Sequence, residues 1–554
     1  MNQYFSPGDW AIILAYLLGI IALGIWFGKD QRNTRDYFLG SKNIPWWGIG
    51  LSVVAAETSA LTIIGVPAMA YGDNIAFLQM IIGYVIARII LAVVLVPHYF
   101  KGEIYSPYQL FANAFGPSAR QTAGGFFLLS ETLAAGVRVY VASIPVKLML
   151  GDKLLGFGTG DPILGAILLF VILSLLYTYV GGVKAVIWTD AVQFGLFLLG
   201  GVFALCYIPS LGEGGVGAVF SKAAEAGKLQ WLNATPPEGT SFLKFLLGKP
   251  FNLWMGIIGG TVMVMSSHGA EQLIVQRVLA CKTVADGRKA LVLSAVVIFP
   301  LFLIFLLVGA MLWVFYQGHS FQIPLPESRP GMKAQDFVFP IFMVTEVPHL
   351  LKGFLIVAIL SAAMSSVSSA LTSLASVSTM DFVKHFSPPG TESLQLGFRK
   401  ISLLSFSKIS TVVWAGVLIL VAYLSRQVEF VLNAAFSLRG LTSGALLGGL
   451  ALAVFWRKGR AASVITGMLV SLAAMTAIQL LPKLDSTKDW WAKTVGTEIF
   501  WPWYTLIGVL VTMGVAWLVD FLLPRKPQPT SDGESASQGG SVCASFSQPP
   551  PRAL

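Results

Sequence analysis

Apolar residues in this chain come in long runs separated by short polar stretches, with neither strand-like alternation nor a solvated helix face between them. Crossing about 30 Å of hydrocarbon takes a helix of about 20 such residues. Thirteen runs of that kind are expected, with cores at 9–28, 46–71, 75–97, 120–150, 162–180, 185–208, 250–272, 290–316, 350–381, 401–424, 429–455, 460–482 and 501–523. Helices apolar on every side belong in lipid or in protein, not water. The pattern therefore predicts an all-α integral membrane protein.

Composition agrees: 55% of residues are hydrophobic and 12% charged, with a mean hydropathy of +0.73. The first run reads as a retained helix, because no basic stretch precedes it and "WFGKDQRNTRD" stands where a signal would be cleaved. A net charge of +10 would suggest nucleic acid in a soluble protein. In a membrane protein the positive-inside rule accounts for it. Lys29, Arg32, Arg35 and Lys42 follow the first run, and further clusters at Lys101 and Arg120, Arg277 to Lys289, Lys384 to Lys408, Arg457 to Arg460, and Arg525 with Lys526 fall on the same side. The amino terminus is expected outside and the carboxyl terminus in the cytoplasm, in the plasma (inner) membrane. Cys206, Cys281 and Cys543 are too scattered for a disulfide framework. Residues 524–554, rich in Pro, Ser, Gln and Gly, are expected to be a disordered tail.

Secondary transporters are commonly built from inverted repeats with interrupted helices at corresponding places. "VVAAETSALTIIGVPAMAYGDN" (53–74) and "GGTVMVMSSHGAEQLIVQRV" (259–278) each carry an acid and small or hydroxyl residues in mid-span. Their starts lie five helices apart. The expected organisation is a first helix and loop over 1–45, a five-helix repeat over 46–208, an external loop over 209–249, a second repeat over 250–455 and two closing helices over 456–523. Small residues also serve close helix packing, so either segment alone leaves that alternative standing.

Residues 360–381, "LSAAMSSVSSALTSLASVSTMD", hold ten hydroxyl side chains in twenty-two positions. Sodium is a hard cation that takes several oxygen ligands. Ser365, Ser366, Ser368 and Ser369 form two adjacent pairs within about one helical turn. The same stripe, with Ala362 and Ala370, also suits tight packing.

With "YTYVGGVKAVIWTDAVQ" (177–193), "EQLIVQRVLACKTVADGRKA" (271–290) and "SAAMSSVSSALTSLASVSTMD" (361–381) in this order, the chain resembles the sodium:solute symporters over about residues 5 to 480. The resemblance implies the five-plus-five inverted repeat and Na+ as coupling ion. It places a first sodium on backbone oxygens of Ala55, Thr58 and Ala362 and on the hydroxyls of Ser365 and Ser366. A second sodium, found in some members, would fall on Ser368, Ser369 and Asp190; the alternative for Asp190 is a carboxylate on the cytoplasmic rim, capping a helix or paired with Lys184.

The hexose-binding positions of sugar-carrying members fall on Ile81, Tyr84, Val264, Ser267, Ile298 and Ala435, which do not carry that chemistry. In sialic-acid-carrying members an arginine on the third repeat helix grips the carboxylate, and Arg138 of "SETLAAGVRVYVASIPVKL" stands at about that level. Arg138 either binds an acidic solute or pairs internally with Glu57 or Glu131. Gln79, Ser266, Ser267 and His268 are further candidate solute contacts, with Glu57 in the break; His268 is either a hydrogen-bonded bystander or a proton-sensitive gate. Arg88 and Arg439 are unusual at membrane depth and carry no assigned role.

The sequence thus points to a sodium-coupled symporter importing a small organic solute, an anionic sugar acid or an uncharged sugar or polyol. A membrane-embedded enzyme lacks a nucleophile with its base or a metal triad, and a sensor lacks a signalling domain. The expected partners are the solute and the lipid bilayer, with no nucleic acid and no obligatory protein partner.

Overall fold

The structure, a computed structural model, describes residues 4–151, 160–212, 214–248, 250–327, 334–384, 387, 391–396, 399–425, 429–456 and 459–523. All thirteen apolar runs fall on helix. The membrane helices are α1 (Pro7–Gly28), α2 (Trp46–Glu57), α3 (Ala60–Gly72), α4 (Leu78–Val94), α5 (Pro117–Leu150), α6 (Pro162–Ser210), α7 (Thr261–Gly269), α8 (Gln272–Leu279), α9 (Val284–Gly318), α10 (Leu351–Val377), α11 (Leu403–Ser425), α12 (Glu429–Phe455), α13 (Ala461–Leu480) and α14 (Tyr504–Leu522). Among the described residues eight helices are long and apolar enough to span, nine when α2 and α3 count as one bent span. The strands Ser393–Leu396 and Arg399–Ser402 form a small antiparallel hairpin pairing Ser393 with Ser402.

The expected runs at 162–180 and 185–208 lie on the single helix α6, sharply kinked at Gly182. Gly182 has φ +53°, a left-handed conformation that suits glycine, and a Cβ there would collide with the Tyr37 carbonyl oxygen. The kink turns the chain without a loop because the segment after the first helix lies directly against it.

The two interruptions expected from the acid-bearing spans are present. α2 and α3 meet at 58°, with Thr58 extended at φ −86° and ψ 109°. α7 and α8 are separated by Ala270 and by Glu271, extended at φ −94° and ψ 130°. At each break the last carbonyls of one segment lose the amides of a next turn, the arrangement that lets backbone oxygens serve ions inside a bilayer.

α10 sits at the centre: 94% of its apolar window is buried, against 22% for α1 and α14. It packs on α1, α5, α6, α11 and both halves of the first break. A serine-rich helix tolerates this because most of its hydroxyls donate back to carbonyls three or four residues earlier, as Ser366 does to Ala362 and Thr372 to Ser368.

The segment after α6 is tied down by a buried lysine. Lys228 Nζ donates to the carbonyls of Tyr71 at 2.8 Å, Gly72 at 3.3 Å and Asp73 at 2.9 Å, and lies 5.0 Å over the Trp313 ring. It caps the carboxyl end of α3, where the helix dipole favours a cation, while burial pushes its ammonium below the usual lysine range.

Candidate solute and sodium site

A cavity of about 840 Å³ opens beside both breaks, lined by Glu57 at the end of α2, Arg138 on α5, Val264, Ser267 and His268 on α7, Glu271 at the second break and Ser443 on α12. Of the expected solute contacts, Glu57, Arg138, Ser267 and His268 line it. Gln79 and Ser266 do not. Gln79 donates to the carbonyls of Ala76 and Phe251 and accepts from the Asn233 amide, so it anchors the segment after α6. Ser266 is buried and donates to the Ser443 carbonyl at 2.7 Å, holding α7 against α12.

Arg88, fully buried on α4, pairs with Glu57. Its Nη2 also lies 3.1 Å from His268 Nε2. A guanidinium only donates, so Nε2 accepts; the ring proton then sits on Nδ1, 2.9 Å from Ser267 Oγ. These contacts describe the hydrogen-bonded role expected as one alternative for His268, with the Glu57 carboxylate 3.6 Å from the same Nε2. Arg88 was legible only as a charge out of place; its partner is the acid in the break.

Arg138 pairs with Glu131 one face along its own helix and donates Nε to the Ala134 carbonyl at 3.2 Å. Of the two internal partners expected, Glu131 is therefore the one used, and Glu57 is balanced without Arg138. Arg439 lies outside the residues whose side chains are described.

Arg138 lines a second, much smaller cavity of about 10 Å³, together with Ser59, Ala363 and Ser366. That is room for about one water or one unhydrated small cation. Of the expected first sodium ligands, Ser366 borders this space, and Ala55 on α2, Thr58 in the break, and Ala362 and Ser365 on α10 are fully buried. Because Ser366 donates its proton to Ala362, its oxygen keeps both lone pairs for a cation.

Ser365 turns the other way and donates to Asp190 Oδ1 at 2.7 Å. Asp190 is not a rim carboxylate and its partner is not Lys184: it is fully buried, accepts from Ser52 at 2.6 Å, and forms an ion pair with Arg277 at 2.8 Å. Arg277 also donates to Ser52 at 2.8 Å and to Ser369. Its assignment to the cytoplasmic basic cluster is thereby corrected, since the guanidinium is wholly buried between α2, α6, α8 and α10. Ser368, by contrast, donates to the Ser365 carbonyl at 3.1 Å. The space between Asp190 and Ser369, expected for a second sodium, is spanned by an internal cation. Arg277 has a signal in the sequence, a basic residue six positions past an acid on one short apolar segment, but its charge alone reads as a loop.

The model of the sodium:solute symporter family matches residues 37–471. A sodium/sialic acid symporter of Proteus mirabilis is 29% identical over 85% of this chain and 89% of its own length. A sodium/sialic acid symporter of Aliivibrio fischeri is 27% identical over 93% of each, and the human sodium/iodide cotransporter 26% identical over 85% of this chain and 69% of its own. A solved Na+-coupled sialic acid symporter, substrate-bound and outward-open, shares the fold with a TM-score of 0.77 at 23% identity, covering 94% of this chain and 99% of that one.

Proposed function

Since the chain belongs to the sodium:solute symporter family, we propose that it carries a small hydroxylated carboxylate of the sialic acid type inward with one sodium ion, its amino terminus outside and its carboxyl terminus in the cytoplasm. Sodium is the coupling ion of the family. The supporting observation is the position of Arg138, whose side chain borders both the solute-sized cavity and the ion-sized one beside Ser366. A guanidinium is the side chain best matched to a carboxylate, and Arg88 already offsets Glu57, the charge that would repel an anion.

The Ser366 hydroxyl and the backbone oxygens of Ala55, Thr58 and Ala362 hold the sodium in this proposal, while Ser365, turned to Asp190, supports the helix beside them. Sodium and solute then meet across one side chain, which gives the coupling a physical route: the ion stabilises the state in which Arg138 serves the cavity, and a ligand shifts a conformational equilibrium only by such differential binding. Asp190 takes no second ion here, because Arg277 supplies its counter-charge and Ser369 is engaged by the same guanidinium.

The Arg138–Glu131 pair favours a second reading, in which the arginine's charge is spent inside the protein and the solute is a neutral sugar or polyol. Uptake into proteoliposomes separates the two. If Arg138 grips a carboxylate, Arg138→Lys keeps the charge but loses the planar two-point contact, and uptake of the acid weakens more than tenfold, about 1.4 kcal/mol. If it only neutralises Glu131, Arg138→Met with Glu131→Gln restores most of what Arg138→Met removes, with a neutral solute as the best substrate.

A further inference from the structure

The ten-helix repeat does not close the large cavity by itself. Gln479 near the end of α13, and Thr497, Glu498, Phe500 and Trp501 on the segment joining α13 to α14, line it as well. All five lie beyond residue 471, where the family match ends. Residues outside the family match therefore supply one wall of the cavity.

The segment is held in place by the protein's own hydrogen bonds. The Phe500 amide donates to the Leu247 carbonyl at 2.8 Å, Trp491 Nε1 to the Thr497 carbonyl at 3.0 Å, and Trp503 Nε1 to the Leu246 carbonyl at 2.8 Å. Phe251 lies against both rings, 5.1 Å from Phe500 and 6.1 Å from Trp501. Below it α14 is drawn onto α12 where two glycines meet: a Cβ on Gly444 would stand 2.6 Å from the Gly508 Cα. That approach lets the Thr505 and Ser443 hydroxyls bond at 2.9 Å. Holding a binding surface rigid beforehand removes an ordering cost from the binding step.

Its chemistry differs from that around Arg138. Glu498 is an acceptor only, Gln479 both donor and acceptor, and Thr497 a hydroxyl, set beside the flat apolar faces of Phe500 and Trp501. Such a set accepts hydroxyl protons and stacks on the C–H face of a saturated ring, and Glu498 repels a carboxylate. We infer that the α13–α14 segment forms an outer subsite for hydroxylated, sugar-type solutes at the mouth of the cavity. The inference rests on the proposed solute class and adds a second place where that class is recognised.

Saturation-transfer NMR on the full chain in lipid nanodiscs tests it, with N-acetylneuraminate as probe and pyruvate as a carboxylate without the polyol. The probe's transfer signal is expected to persist in Arg138→Met, to fall at least fivefold in Trp501→Ala and in Glu498→Gln, and to be absent for pyruvate in Arg138→Met. Glu498 is exposed, so its variant tests the subsite with folding intact. A signal that vanishes in Arg138→Met, or that both outer variants leave unchanged, overturns the subsite. Sodium-driven uptake measured alongside judges the proposed function separately, since binding through Trp501 without uptake of the acid would leave the subsite standing and overturn that function.

Discussion

Asp190 and Arg277 make the sharpest quantitative case in the protein. Both side chains are wholly excluded from solvent, so removing one charge strands the other. Breaking a buried pair in this way costs about 3–5 kcal/mol, whereas replacing both partners is close to neutral. Asp190→Asn and Arg277→Met should each lower the thermal midpoint of the protein in nanodiscs by several degrees, and the double variant should regain at least half of the loss. Asp190→Asn keeps the shape and an acceptor for Ser365, so sodium half-saturation should rise only modestly. The Hill coefficient for sodium should stay near one in parent and variant alike, because the carboxylate's counter-ion is a guanidinium. A coefficient near two in the parent that drops to one in Asp190→Asn would refute this, and so would single variants as stable as the parent.

Two further outcomes follow from the geometry. Ser366→Ala removes an oxygen from the wall of the ion-sized cavity and should raise sodium half-saturation several-fold with the folded protein intact; a sodium dependence unchanged from the parent in both Ser366→Ala and Ser365→Ala would sink the sodium assignment. Lys228→Met strips three carbonyls of their donor at the carboxyl end of α3; at about 1.5–3 kcal/mol for hydrogen bonds to a charged group, the segment after α6 should gain hydrogen exchange and protease sensitivity, and an unchanged exchange pattern over residues 226–233 would contradict the clamp.

The helices and both breaks were legible because lipid imposes one demand on the backbone, internal hydrogen bonding, and Glu57 and Glu271 mark where it is relaxed. The hydroxyl helix was legible as chemistry, though its division was not: adjacent serines point about 100° apart on a helix, so Ser365 reaches Asp190 while Ser366 faces the small cavity. Gln79 and Ser266 looked like solute contacts because a polar residue in an apolar run has no stated direction in the sequence. Each instead satisfies a backbone group across a helix boundary. Arg88 and Arg277 needed the tertiary fold for the same reason, since their acids stand 31 and 87 positions away.

The coupling itself is tested by uptake of N-acetylneuraminate into proteoliposomes in which the sodium ratio and the membrane potential are set independently. One sodium with one carboxylate carries no net charge. Accumulation should therefore follow the sodium ratio, up to tenfold for a tenfold gradient, and should be the same at 0 and −100 mV. A second sodium, or a neutral solute, would carry net charge inward, and −100 mV would then add about 2.3 kcal/mol, close to 50-fold. Potential-driven accumulation of that size would contradict the single-ion account, and uptake indifferent to sodium would contradict coupling altogether.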